Sequence, residues 1–146
     1  MSTPNRARVA DIMTRTVVTL DQAQSLYEAR ALMGLHQIRH IPILDTHQQV
    51  VGLVTQKIVL REALRIAETY GSDQLGERLA EVALASVLQA DFDIVSSDTA
   101  LVDAGWRLLN GRQGTLPVVD DGQLVGIVSH MDYVRMAIEL LEDGVA

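Results

Sequence analysis

Residues 124–132 read LVGIVSHMD, and the fold turns on how this stretch is read. Four apolar residues enclose Gly126 and give way to Ser129, three positions before Asp132. The pattern predicts a buried strand turning into a helix. Val125, Ile127 and Val128 leave no polar alternation, so both faces of that strand are expected to be covered. Ser129 stands where an N-cap belongs, and Asp132 falls in the first helical turn, among amides that lack an intrahelical partner. Two readings stay open. Ser129 and Asp132 form a capping box, or the corner binds a ligand through a hydroxyl and a carboxylate.

A second copy lies upstream. Residues 50–58, VVGLVTQKI, repeat the strand, the glycine and the hydroxyl residue at Thr55, but place Ile58 where Asp132 stands. The hydroxyl recurs and the carboxylate does not.

Outward from these corners the chain reads as a duplication. In the first copy, VADIM (9–13) predicts one helical turn and VVTL (17–20) a short strand. A helix follows from Ser25, where Ser25 and Glu28 make a capping box and Leu26, Ala29, Leu32 and Met33 share a face. IPIL (41–44) is a strand, with Pro42 expected near its start or on an edge because it lacks a ladder donor. Residues 45–49 make a hairpin loop, and a helix from Thr55 runs to Tyr70. Gly71, Ser72 and Asp73 end it and cap another helix carrying Leu75, Leu79, Val82 and Ala83.

The second copy has Val87 and Leu88 in place of Ile12 and Met13, residues 93–95 as its first strand, and Leu101, Ala104 and Leu108 as its helix face. LPVVD (116–120) matches IPILD (41–45), and Asp121 and Gly122 make a tighter hairpin. The period of about 75 residues exceeds solenoid units. Each copy is strand, helix, strand, strand, helix, so the fold class is α+β. The two small sheets are expected to pack with helices as a pseudo-twofold pair that leaves clefts between the copies for a small ligand. The expected organisation is a flexible tail over 1–8, a first motif over 9–70, a helical connector over 71–84 and a second motif over 85–143.

A chain of 146 residues with no cysteine has no disulfide, thiolate metal site or cysteine nucleophile, which suits a cytoplasmic location. A net charge of −7 and five aromatic residues argue against nucleic acid and anionic membranes. No secretory signal is expected, and no apolar run reaches the ~20 residues a membrane span needs. The four histidines make no i, i+4 metal pair on any expected helix, since His36 and His40 straddle a helix end, and no nucleophile elbow or phosphate-binding glycine loop is present, so neither a metal site nor an enzyme is expected. Trp106 reads as core or a dimer contact. The apolar content of residues 58–64 and 134–141 exceeds one narrow stripe, which leaves intramolecular burial or a partner chain open.

VADIMT, SLYEARALM, RHIPILDTHQQVVGLVT and the second round ending LPVVDDGQLVGIVSHMD together resemble a tandem pair of CBS domains, a Bateman module. The resemblance covers residues 9–141. It implies a non-catalytic regulatory module that binds AMP, ADP, ATP or S-adenosylmethionine between the motifs, needs no cofactor, forms a homodimer through its helices and alters the activity of a partner protein. By the same resemblance Asp132 holds the ribose and Ser129 the phosphate, with Arg39 and His40 of the other motif as basic phosphate contacts. Thr14, Thr16, Val18, Ile38, Ile127 and Met131 then border the base. Ionised carboxylates accept well from vicinal hydroxyls, and helix N-termini suit phosphates. The second cleft has Thr55, but Ile58 replaces the acid and Gly114 and Thr115 replace the bases, which favours one working site per chain. The alternative is a ligand-free interaction or dimerisation module in which Ser129 and Asp132 only cap a helix.

Overall fold

The computed structural model describes residues 7–144, which divide into two compact units. The inner unit is residues 18–92, and the composite unit joins 7–17 to 93–144. Of the expected tail, residues 1–6 lie outside the described residues, while Ala7 and Arg8 belong to the composite unit. There the Ala7 carbonyl accepts from the Leu101 amide at 3.0 Å, and Arg8 bridges Ala100.

In the inner unit, β1 (Leu20–Asp21) pairs parallel with β2 (His40–Leu44), which pairs antiparallel with β3 (Val50–Thr55). The strand expected over 17–20 is thus shorter and later. Helix α1 (Leu26–His36) starts at Ser25, whose hydroxyl accepts the Glu28 amide at 3.4 Å, and it ends on Gln37 in the left-handed conformation, three residues past Gly34. Helix α2 (Gln56–Tyr70) stops at Gly71, whose φ of 92° disfavours other residues, and α3 (Leu75–Ala80) follows. Val82 and Ala83 lie beyond the end of α3, where Val82 still packs on the core. Leu26, Ile41, Ile43, Leu79 and Leu84 are fully buried in this core, each worth about 1.5–3 kcal/mol of burial.

In the composite unit, α4 (Leu101–Asn110) buries Leu101, Ala104 and Leu108 against β4 (Thr115–Asp120) and β5 (Gln123–Ser129), and α5 (His130–Glu142) follows directly. The hairpin turns on Asp121 and Gly122, both at positive φ, as a two-residue turn of that type requires. The strand expected over 93–95 is reduced to one parallel bridge, Val95 with Val118. On β5, Gly126 and Val128 are buried but Val125 and Ile127 only partly so, which corrects the expectation of a strand covered on both faces.

The compact units cut across the sequence repeat. The lead-in of the first copy, through Thr14, exchanges two backbone bonds with Ile127 of the second copy's hairpin, at 2.8 and 2.9 Å. The lead-in of the second copy does the reverse: Gln89 exchanges two with Leu53, at 2.8 and 3.0 Å. Gly126 and Gly52 make room for these crossings. A Cβ on Gly126 would lie 2.7 Å from the Met13 sulfur and 3.0 Å from the Thr14 carbonyl; one on Gly52 would lie 2.6 Å from Leu88 Cδ1 and 2.8 Å from the Gln89 carbonyl. The same geometry explains Pro42. It sits third in the central strand β2, neither at an edge nor at the start. Its partner Leu53 spends both backbone groups on Gln89, and β1 begins only opposite Ile43, so no neighbour requires the missing N–H.

Candidate functional site

Asp132 is the best-connected carboxylate of the corner that closes β5 onto α5. Ser129 and Asp132 face each other as a capping box, in which the carboxylate Oδ2 accepts from the Ser129 amide at 2.9 Å and lies 3.5 Å from the Ser129 hydroxyl. A capping box alone does not need what surrounds it. The Ser25–Glu28 box of α1 lies exposed, whereas Asp132 is 5% exposed. Its Oδ1 accepts from the Thr14 hydroxyl at 3.0 Å, across 118 residues of sequence, and from the Arg135 guanidinium at 3.3 Å. An open cavity of about 160 Å³ adjoins it, lined by Asp11, Ile12, Asp132, Arg135, Met136 and Glu139.

The backbone crossing at Ile127 is what delivers Thr14 to the acid. Two main-chain bonds fix Thr14 beside the strand, and its short side chain then reaches the helix N-terminus. Next to Asp132 on the helix, Tyr133 donates to the Leu101 carbonyl at 2.6 Å, and burial with the nearby Asp132 charge pushes its phenol up to about 12. A neutral phenol at this contact keeps the first turn of α5 tied to α4.

The other expected site residues distribute as follows. Thr14, Thr16, Ile127, Ser129, Met131 and Asp132 belong to the composite unit, with Thr16 and Met131 exposed and Ile127 half-buried. Val18, Ile38, Arg39 and His40 belong to the inner unit, where the Arg39 carbonyl accepts the Gln56 amide at 2.9 Å and His40 pairs in register with Thr55. At the corner lacking the acid, Ile58 is buried and its amide is capped by the Thr55 hydroxyl at 3.2 Å. Thr115 stands in register with Ser129, beside Gly114, and its buried hydroxyl donates to the Val128 carbonyl at 3.1 Å. One unit therefore holds Ser129 and Asp132 together with Gly114 and Thr115, and the other holds Arg39 and His40 together with Thr55 and Ile58.

Arg135, Asp11 and Glu139 were not singled out in the sequence. The spacing of Arg135, three residues after Asp132 on one helix, carries the signal for the ion pair; the approach of Asp11 follows from a crossing that spacing does not show. Among the described residues no group of three or more His, Cys, Asp or Glu is placed to hold a metal ion, and no helix is long and apolar enough to cross a membrane.

Two segments, residues 9–65 and 84–139, match the CBS domain. The chain belongs to the CBS-domain family. As a tandem CBS pair it is similar to the crystal structure of AcuB from Vibrio cholerae, at 32% identity with 93% of each chain covered and a TM-score of 0.78. It is also similar to CBSX2, a CBS-pair protein of Arabidopsis thaliana, in complex with AMP, at 27% identity over 91% of this chain and 97% of that one, with a TM-score of 0.74. The CBS domain pair of protein MJ0100, in complex with 5′-methylthioadenosine and S-adenosyl-L-methionine, shares the fold at 22% identity, covering 91% and 97% of the chains, with a TM-score of 0.73. The curated relatives are longer: this CBS pair spans 32% of the length of a Methanocaldococcus jannaschii protein, MJ1404, to which it is 26% identical over 136 residues.

Proposed function

We propose that this CBS pair is a regulatory, non-catalytic module in which Asp132 binds the ribose hydroxyls of an adenosine-containing ligand. The observation that carries the reading is the buried carboxylate held by hydroxyl and amide donors from two segments beside an open cavity. A vicinal diol donates to a carboxylate as the Thr14 hydroxyl does, so the site is chemically suited to ribose. The likeness to an AMP-bound CBS pair supports the same ligand class. Within the composite unit, Ser129 is assigned to the phosphate, and Thr14, Thr16, Ile127 and Met131 to the base. The ligand regulates a partner protein only to the extent that it binds one arrangement of the pair better than another. An affinity of micromolar to millimolar, about −8 to −4 kcal/mol, suits such a sensor.

A second reading, a ligand-free interaction module, draws on exposed apolar residues along two helices: Leu60 and Leu64 on α2, and Val134, Ile138 and Leu141 on α5. Intramolecular burial does not cover them, and Trp106 is likewise exposed rather than core. These faces fit association of the chain into a homodimer, which either reading accommodates.

A thermal-shift panel of AMP, ADP, ATP and S-adenosylmethionine on wild type and Asp132→Asn separates the two. At 100 times its dissociation constant a ligand adds about 2.7 kcal/mol, several degrees of melting temperature at this size. Stabilisation of wild type by one adenosine compound, lost in Asp132→Asn, is the expected result. No shift in wild type at millimolar ligand favours the interaction module.

A further inference from the structure

The carboxylate of Asp132 is nearly inaccessible, yet the guanidinium bonded to its Oδ1 is not: the Arg135 side chain is 62% exposed and the Asp132 side chain 4%. Arg135 therefore stands between the acid and solvent. Oδ1 is already shared by two donors, so an incoming diol must take the place of one of them. The Thr14 main chain is fixed by two bonds with Ile127, and its hydroxyl makes the shorter of the two contacts to Oδ1, 3.0 Å against 3.3 Å for Arg135. Among the described residues Arg135 is held by one 3.3 Å contact on the surface of its own helix, the kind of ion pair that contributes little. Its displacement also has a destination. Glu139, one turn further along α5, and Asp11 on the lead-in line the same cavity and offer carboxylates to a guanidinium that has left Asp132.

We propose that Arg135 is a competitor for the ribose position: it pairs with Oδ1 of Asp132 and must swing away for a diol to bind. The inference rests on the ribose reading of Asp132 and adds to it a residue that sets affinity from outside the ligand. Arg135 thereby keeps the buried acid paired until a diol displaces it, and it weakens binding by the strength of that pairing.

The test is calorimetric titration of adenosine, which carries no phosphate, and of AMP, into wild type, Arg135→Gln, Arg135→Lys, Arg61→Gln and Asp132→Asn. Arg61 holds the same place on α2 that Arg135 holds on α5, but follows Ile58 rather than an acid, so its variant makes the same charge change without the competition. The expected result is adenosine binding tightened about two- to five-fold in Arg135→Gln, the range an exposed ion pair accounts for, and unchanged in Arg61→Gln. Salt gives an independent readout that general destabilisation would not move. Screening weakens the Arg135–Asp132 pair, so adenosine binds wild type and Arg135→Lys more tightly as ionic strength rises, and Arg135→Gln shows no such trend. Adenosine affinity that is unchanged or lower in Arg135→Gln overturns the competitor role while leaving the ribose reading intact. A selective loss of AMP binding in that variant also overturns it, because Arg135 is then a phosphate contact. Failure of wild type to bind either ligand, or equal binding by Asp132→Asn, overturns the ribose reading and this inference with it.

Discussion

The corner at Thr55 and the corner at Ser129 are the same turn of chain, from an antiparallel hairpin into a helix, and they differ at two contacts. At Thr55 the hydroxyl caps the amide of a buried Ile58, and the crossing residue Gln89 turns its side chain away to donate to the Asp91 carbonyl at 2.8 Å. At Ser129 the third residue is an acid, and the crossing residue Thr14 turns its hydroxyl onto it at 3.0 Å. The glycine, the crossing, the hydroxyl and the following arginine are common to both corners, so they belong to the scaffold. The acid and its partner across the crossing are what one corner has and the other lacks. A hydroxyl at a helix start is therefore no sign of a site by itself in this chain.

The sharpest way to break this comparison is to exchange the third residue. Ile58→Asp removes a side chain that is 6% exposed and buries a carboxylate that no hydroxyl reaches across the crossing, where Gln89 stands in place of Thr14. A loss of about 3–5 kcal/mol in urea unfolding is expected from the vacated core and the poorly partnered charge. A loss below about 1 kcal/mol would mean that the Thr55 corner tolerates an acid as it stands, and that the second contact is irrelevant. The next effect comes from the crossings. Gly52→Ala and Gly126→Ala should each cost about 1–3 kcal/mol by overpacking. Gly52→Ala is expected to be the worse, because its Cβ meets the backbone oxygen of Gln89 at 2.8 Å, whereas at Gly126 the Thr14 carbonyl stands at 3.0 Å. Denaturant midpoints in the opposite order would show that the crossing at Ile127 is the tighter one.

Periodicity and turn chemistry made most of the fold legible. The Ser25–Glu28 box, the helix from Thr55 to Tyr70, the buried face of Leu101, Ala104 and Leu108 and the hairpin at Asp121 and Gly122 all stand where the residues place them. The short first strands were overestimated, because β-branched residues such as Val17 and Val18 signal extended chain but not the partner that would make it a strand. Pro42 was misjudged for a related reason: local rules count the missing donor, while the crossing at Leu53 decides whether one is needed. The family itself was readable from two ordered copies of weak motifs. The environment of Asp132 was readable only in part, since Ser129 and Arg135 lie within a helical turn of it but Thr14 reaches it through a pairing 118 residues distant.

Tyr133 offers the smallest and most local reading of the difference between the corners, because Val59 holds its place after Thr55. Its ring lies 3.2 Å from where a Cβ on Gly105 would stand, and its hydroxyl is bonded to the Leu101 carbonyl. Burial raises its pKa from 10.0 to about 12, and the Asp132 charge adds to the rise. The stabilising contribution of the neutral phenol is thus complete below pH 10 and is lost as pH climbs from 10 to about 12, because the unfolded chain ionises first. In an alkaline titration followed by phenolate absorbance, wild type should show one tyrosine titrating late that Tyr133→Phe lacks. Asp132→Asn should move that step to lower pH without returning it to 10.0, since burial is the larger cause and the carboxylate charge the smaller. A step unmoved by Asp132→Asn would mean that the charge of Asp132 is spent on Thr14, Ser129 and Arg135 and does not reach the next residue of its own helix.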